Sequence, residues 1–150
     1  MTTSSGSTIQ VRHMGDTEFS IRMRGHEIVV DLPPEAGGND AGPSPTQLFV
    51  ASLAAGVAFS GRSFLHAQGL PDRVNVNARW SIELRPTRVN RVDVSVEAPG
   101  VPASRLDGFR RAIEYCTVHN TLEDPPKILL EIVPSEHASS SHRQGMDRRP

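Results

Sequence analysis

Ser44-Pro45-Thr46-Gln47-Leu48-Phe49-Val50-Ala51-Ser52-Leu53-Ala54-Ala55-Gly56-Val57-Ala58-Phe59 is the stretch that decides the fold. Ser44 is a good N-cap, because its hydroxyl can accept a backbone N–H that no helix carbonyl reaches. Pro45 suits the first helical position, where no N–H is needed. The pair predicts a helix from Pro45 to about Gln68, stopped by Gly69. Its first half is apolar on most faces, which predicts a long, buried central helix. Ala51, Ser52, Ala54, Ala55, Gly56 and Ala58 are small, so a second backbone can come close.

Strand patterns flank this helix. Phe19, Ile21 and Met23 alternate with Ser20, Arg22 and Arg24, which predicts a strand with one buried face. Gly25-His26 turns the chain into a second strand over 27–31, and residues 9–13 add a short strand before both. A Pro- and Gly-rich loop covers 32–44. After the helix, Val74, Val76, Ala78, Trp80, Ile82 and Leu84 alternate with polar residues, predicting a strand half-buried along its length. Arg85-Pro86-Thr87-Arg88 turns it into a return strand over 89–97, with Val92, Val94 and Val96 inward. Leu106, Phe109, Ile113 and Cys116 then stand at helical spacing, predicting a second helix over about 103–115, with residues 117–122 adding a turn. Pro125-Pro126 stops it, and 127–133 reads as a last strand. The order β-β-β-α-β-β-α-β, with helices between hairpins, predicts an α+β domain and not a wound parallel sheet.

The composition fits one domain. The 150 residues are 37% hydrophobic and 22% charged, a thin apolar fraction that often means part of the burial comes from a partner subunit. The folded part is expected over 9–133, with a disordered N-terminus (1–8) and a disordered polar tail (134–150). A net charge of −1 with no basic block argues against nucleic-acid binding. The Arg85, Arg88 and Arg91 set reads as a solvated strand edge, and Arg110-Arg111 as the wet face of a helix. Residues 1–10 carry no apolar core of a signal peptide, and the apolar run 48–59 is short for a membrane span, so no membrane partner and a cytoplasmic address are expected. Cys116 is the only cysteine, which excludes an intrachain disulfide and a cysteine zinc site; no metal and no cofactor are expected.

The segment Gly42-Pro43-Ser44-Pro45-Thr46-Gln47-Leu48 through Gly56 resembles the central helix of the OsmC/Ohr family (osmotically inducible protein C and organic hydroperoxide resistance proteins). Cys116-Thr117-Val118-His119-Asn120-Thr121-Leu122 is similar to the family's second signature, and Val30-Asp31-Leu32-Pro33 with Gly37-Gly38 to its strand-to-loop passage. The matches run in order from about Phe19 to Val133. The resemblance implies an intertwined homodimer with its central helices packed together inside wrapped sheets and active sites at the subunit interface. It also implies the family chemistry, in which a cysteine pair reduces organic hydroperoxides and is itself reduced by a dithiol such as lipoamide.

Against that pattern the chain departs at the reacting position. The peroxidatic cysteine maps to Gly56, and the glutamate that orders the catalytic arginine in the hydroperoxide-resistance branch maps to Thr46. Arg22 and Arg24 are the nearest candidates for that arginine. Only the second cysteine, Cys116, is retained. A two-cysteine peroxidase needs a thiolate to become a sulfenic acid and a second thiol to condense with it. Glycine supplies neither, so Gly56 either permits close packing or leaves a small pocket at the dimer interface. Cys116 is either a buried relic or a lone reactive thiol that needs an external reductant. His119, three residues on, is either a polar cap or an imidazole partner for that thiol. Three functional readings follow: a protein without standard peroxidase chemistry that binds a small apolar ligand or acts by contact; a one-cysteine hydroperoxide reductase using Cys116; and a structural partner in a mixed dimer.

Overall fold

The computed structural model describes residues 8–134. The expected N-terminal and C-terminal disorder therefore falls almost wholly outside the described residues. The elements are β1 (Ile9–Gly15), β2 (Glu18–Met23), β3 (His26–Val30), α1 (Pro45–Ala67), β4 (Asn75–Leu84), β5 (Thr87–Glu97), α2 (Leu106–Glu114) and α3 (Thr117–Glu123). The α+β class and the first seven elements agree with the sequence reading, except that a 3-10 turn over Ala103–Arg105 precedes α2.

Three strands form one antiparallel sheet in the order β1-β2-β3, and β4 and β5 form a separate hairpin. Arg24 and Gly25 make the tight turn between β2 and β3, with Arg24 at φ +55°. His26 therefore opens β3 and pairs with Met23, where the sequence had placed it in the turn. In the β4–β5 hairpin, Val76, Ala78, Trp80 and Ile82 face Val96, Val94, Val92 and Val89. Val89 and Val92 are three residues apart and would point to opposite faces of a regular strand. A register shift opposite Ser81/Ile82 takes up the extra residue, Asn90, and keeps both valines on the apolar face.

α1 begins as its sequence dictates. The Ser44 hydroxyl accepts the Gln47 N–H at 3.3 Å, and the Gln47 side chain accepts the Ser44 N–H at 2.7 Å, a reciprocal capping box ahead of Pro45. At the other end Gly69 takes φ +64°, the left-handed turn that glycine adopts without strain. Val50, Leu53, Val57, Gly61 and Leu65 form the buried stripe of α1, which packs on α2, α3, β4 and β5. Leu53 and Val57 meet Cys116 at the centre of the core, with Val76, Val92, Val96, Ile113 and Val118 around them. Gly61 leaves room for Phe109 and Ile113 of α2, and Phe109 meets Phe64 edge-to-face at 5.8 Å.

Three sequence expectations fail within the single chain, all for one reason. α1 is long and apolar enough to cross a membrane by length and composition, yet only 28% of its most apolar window is buried. The expected all-round burial of the central helix is thus replaced by one buried stripe and an open face that includes Ala51, Ser52, Ala55 and Phe59. β4 is half-buried only to Ala78; Trp80, Ile82 and Leu84 overhang the helices and stand exposed. Residues 127–133 form no strand, and Ile128, Leu129, Leu130, Ile132 and Val133 are each at least 77% exposed. A strand needs a neighbouring edge to satisfy its backbone groups, and this chain supplies none at that place. The β1–β3 sheet likewise has extended contacts only among its own strands.

The sheet is joined to α1 by the loop over 31–44, and one carboxylate organises it. Asp31 is 1% exposed. Its Oδ1 accepts the Thr17 hydroxyl and the Leu32 N–H; its Oδ2 accepts the N–H groups of Asn39 and Ala41 at 2.9 and 3.0 Å. The Thr17 hydrogen bond, followed by that from Ala41, holds the Asp31 carboxyl down at about 2. Gly38 and Gly42 complete the loop by close approach, since a Cβ at Gly42 would stand 2.1 Å from the Val29 carbonyl oxygen. A carboxyl depressed in the folded state stabilises it above the unfolded value and loses that contribution as pH falls through the folded value. Thermal stability of the wild type is therefore expected to fall between about pH 4 and pH 2 more steeply than that of Asp31→Asn, which starts lower. Parallel melting slopes for the two proteins over that window would remove Asp31 as the anchor of the loop.

Candidate functional site

The positions singled out in the sequence divide into two groups in space. Gly56, Cys116 and His119 come together. A Cβ built on Gly56 would lie 3.2 Å from Cys116 Sγ and 3.4 Å from a Val118 methyl. Within the chain, Cys116 and Val118 therefore pack close against Gly56. Thr46 lies ten residues earlier on α1, about 15 Å along the helix axis from Gly56.

Cys116 does not continue the second helix. α2 ends at Glu114, and Cys116 takes an extended conformation (φ −88°, ψ 147°) as the N-cap of α3. Cys116 and His119 are thus cap and third helical residue, not neighbours on one continuous helix. The His119 backbone N–H donates to Cys116 Sγ at 3.2 Å. The His119 imidazole points elsewhere, with Nε2 3.4 Å from Glu123 Oε1 across one turn of α3. The cap of α3 is therefore Cys116 and not His119, whose imidazole reaches Glu123 and not the thiol. Cys116 is 2% exposed and sits among apolar side chains.

Arg22 and Arg24 belong to the other group. Arg22 Nε donates to Glu27 Oε1 at 3.1 Å across the β2–β3 ladder, and Ser20 donates to the same oxygen. The Ser20 hydrogen bond, then Arg22, holds the Glu27 carboxyl below its ordinary value. Arg24 occupies the β-turn. Both lie on the β1–β3 sheet, which makes no extended contact with α1 or α3 in the same chain. Neither is assembled with Cys116 within one subunit.

Two concave surfaces flank the Gly56–Cys116 contact. One is a shallow hollow of about 460 Å³ that starts one turn beyond Gly56, between Phe59, Ser60, Ser63 and Phe64 of α1 and Ala112 and Tyr115 next to Cys116. Phe59 and Tyr115 are open to solvent there. The other is a groove of about 750 Å³ between β5 and α2, floored by Leu53 and Val57, with His119 at one end. Neither surface was legible in the sequence, because each depends on how far α2 stands from its neighbours. Asp31 was quoted in the strand-to-loop motif, but its place at the centre of the loop's hydrogen bonds was not read from the sequence.

The family model of OsmC-like protein matches residues 37–131. Among curated proteins none matches the chain. Solved structures with the same fold include an OsmC-like protein from Mycoplasma pneumoniae, 17% identical, with a TM-score of 0.69 over 82% of this chain and 91% of that one. An organic hydroperoxide resistance protein OsmC from Legionella pneumophila is 19% identical, with a TM-score of 0.65 over 81% of this chain and 91% of that one. An organic hydroperoxide resistance protein from Elizabethkingia anophelis is 20% identical, with a TM-score of 0.64 over 83% and 93%. With the family model spanning most of the described residues, and both the central-helix motif over 42–56 and the second motif over 116–122 falling within it, the chain belongs to the OsmC-like protein family.

Proposed function

We propose that the protein is a cytoplasmic homodimer that binds a small apolar ligand at its subunit interface and does not carry out two-cysteine hydroperoxide reduction. The observation that carries the second half is the contact at position 56. A Cβ built on residue 56 would stand 3.2 Å from the Cys116 sulfur, and that residue is a glycine. No thiol is present there to form the sulfenic acid, and no second thiol exists to trap one.

Surface area supports the dimer. The chain exposes 13056 Å², against about 7500 Å² for a folded monomer of its mass. Even if the 23 residues outside the described range are given the area of an unfolded chain, an excess of about 2800 Å² remains. That is the scale of an obligate interface. Its location matches too, since Phe59 on the open face of α1, Trp80, Ile82 and Leu84 at the end of the β4–β5 hairpin, and Ile128, Leu129, Leu130, Ile132 and Val133 are all apolar and uncovered. The Phe59–Tyr115 hollow adjoins the open α1 face and offers aromatic walls to a ligand of a few ring or chain carbons.

A second reading has one observation in its favour. Cys116, the sole thiol, has its Sγ at the start of α3, where it accepts the His119 backbone N–H, and a reductase would need it as a thiolate. A one-cysteine reductase would use that thiolate to take one peroxide oxygen, releasing an alcohol. Two external thiols would then return the sulfenic acid to thiol, with loss of water and formation of their disulfide. Its burial at 2% exposure weighs against the first step.

Turnover of cumene hydroperoxide with a dithiol separates the readings. The expected outcome is no rate above the reductant-only background, with wild type and Cys116→Ser indistinguishable. Turnover that disappears in Cys116→Ser would replace the proposal with the one-cysteine reductase. For the ligand, a panel of small aromatic and aliphatic compounds is expected to raise the melting temperature of the wild type and not that of Tyr115→Ala. If no compound in the panel separates the two, the hollow is not a binding site.

A further inference from the structure

The β1–β3 sheet and α1 belong to one chain but share no extended packing. What fixes the direction of the sheet must therefore lie in the connection over 31–44. Asp31 directly follows β3, and its carboxylate is reached from three places: the Leu32 N–H beside it, the Asn39 and Ala41 N–H groups on the returning limb, and the Thr17 hydroxyl at the turn between β1 and β2. The outgoing limb is closed by a 3-10 turn over Pro34–Ala36, and the Asp40 N–H donates back to the Leu32 carbonyl at 3.1 Å.

This connection has no free joint. Its returning limb lies against the strand it left, with no room for a Cβ between Gly42 and the Val29 carbonyl or between Gly38 and the Leu32 carbonyl. Between Ala41, the last donor to Asp31, and Ser44, the cap of α1, stand only Gly42 and Pro43. Gly42 is pressed on Val29, Pro43 has its φ fixed by its ring, and Ser44 is held by Gln47 in the capping box. Among these ties, the one from Thr17 comes from a separate part of the chain. The β1–β2 turn is shaped to deliver it. Gly15 and Asp16 take φ +141° and +45°, and His13 Nε2 donates to the Asp16 carbonyl at 3.0 Å.

We infer that the Thr17 hydroxyl on Asp31 is a latch that makes 31–44 a rigid elbow, holding the β1–β3 sheet at one angle to α1 so that it meets a second subunit already aimed. The sheet has apolar surface to offer, since Ile9, Val11 and Met14 stand exposed on it. A surface held in its bound direction loses less freedom on association and binds more tightly. The inference rests on the dimer proposed above and adds a residue pair that governs how readily it forms.

Two variants of the full-length protein test it. Thr17→Val keeps the side-chain shape without the hydroxyl, and Thr17→Ser keeps the hydroxyl. In hydrogen exchange the Asn39 and Ala41 amides of Thr17→Val are expected to lose at least about tenfold of their protection. Its dimer dissociation constant, from sedimentation equilibrium, is expected to rise about tenfold, with Thr17→Ser close to wild type in both measurements. Retained protection in Thr17→Val would overturn the latch, as would lost protection with an unchanged dissociation constant, or a serine variant as weak as valine. A wild type that sediments as a monomer removes the dimer reading alone. The latch is then decided by residual dipolar couplings, with sheet and α1 amides expected to fit one alignment frame in the wild type and two in Thr17→Val. The same number of frames in both proteins would overturn it.

Discussion

Replacing Gly56 with cysteine is expected to create a disulfide to Cys116 on mild oxidation, with both thiols lost to titration and the mass reduced by two hydrogens. The geometry is already in place. A Cβ on residue 56 would stand 3.2 Å from Cys116 Sγ, and a Cβ joined through its own sulfur to a second sulfur stands about 3.0 Å from it. Only a few tenths of an ångström separate the two. What is a tight van der Waals contact for alanine is thus close to a bonding distance for cysteine. The bond would close a loop of about 60 residues, for which chain entropy alone gives about 4 kcal/mol of stabilisation of the oxidised form. Gly56→Ser, similar in size and without sulfur, is expected to leave Cys116 as a free thiol under the same oxidant. Hydroperoxide turnover by Gly56→Cys is expected to be slow even so. Thr46 lies about 15 Å down the helix, and Arg22 is committed to Glu27. If both thiols of Gly56→Cys stay titratable after oxidation with diamide, position 56 is not the vacant half of a cysteine pair, and the proposed absence of two-cysteine chemistry must be argued elsewhere.

How far the sequence disclosed this site depended on the range of the interactions involved. Ser44, Pro45, Gln47 and Gly69 act on backbone groups within four residues, so the ends of α1 were readable to within a residue. The alternation in β4 and β5 was equally local, and only the register shift at Asn90 was hidden, because it is set by the opposite strand. The meeting of Gly56 with Cys116 joins residues sixty positions apart. Nothing periodic announces it, and only the family resemblance placed the two in one site. The sequence ended the second helix near residue 115 with a further turn over 117–122, close to the observed α2 and α3, but it placed Cys116 on the helical spacing of Leu106, Phe109 and Ile113, where the chain is extended instead. There the capping of α3 by Cys116 Sγ outweighs the periodic pattern. The failed strand at 127–133 and the open face of α1 are different in kind. In both places the residues carry the apolar pattern, and the chain by itself leaves them exposed.

That distinction makes Ala55 the most informative surface position. In the isolated chain Ala55 is exposed on α1. A substitution there by arginine, itself a good helix former, would change the stability of a monomer by no more than about 0.5 kcal/mol. In a dimer closed over the small residues Ala51, Ser52 and Ala55, the same guanidinium would be buried without a partner. Breaking or omitting one half of a buried ion pair costs about 3 kcal/mol or more, and the symmetry of a homodimer imposes the cost twice. The dissociation constant of Ala55→Arg is therefore expected to rise by roughly four orders of magnitude, while Ala55→Ser, small and neutral, stays near wild type. Sedimentation equilibrium over a range of concentrations measures this directly. The single tryptophan, Trp80, lies on the exposed apolar end of β4 and gives a fluorescence signal for the same transition. If the proposed partner covers this apolar surface, the dissociated variant is also expected to lose melting cooperativity. Arginine and serine variants that sediment alike, at the mass of the wild type, would show that the open face of α1 is not the contact and would return the excess surface to some other partner.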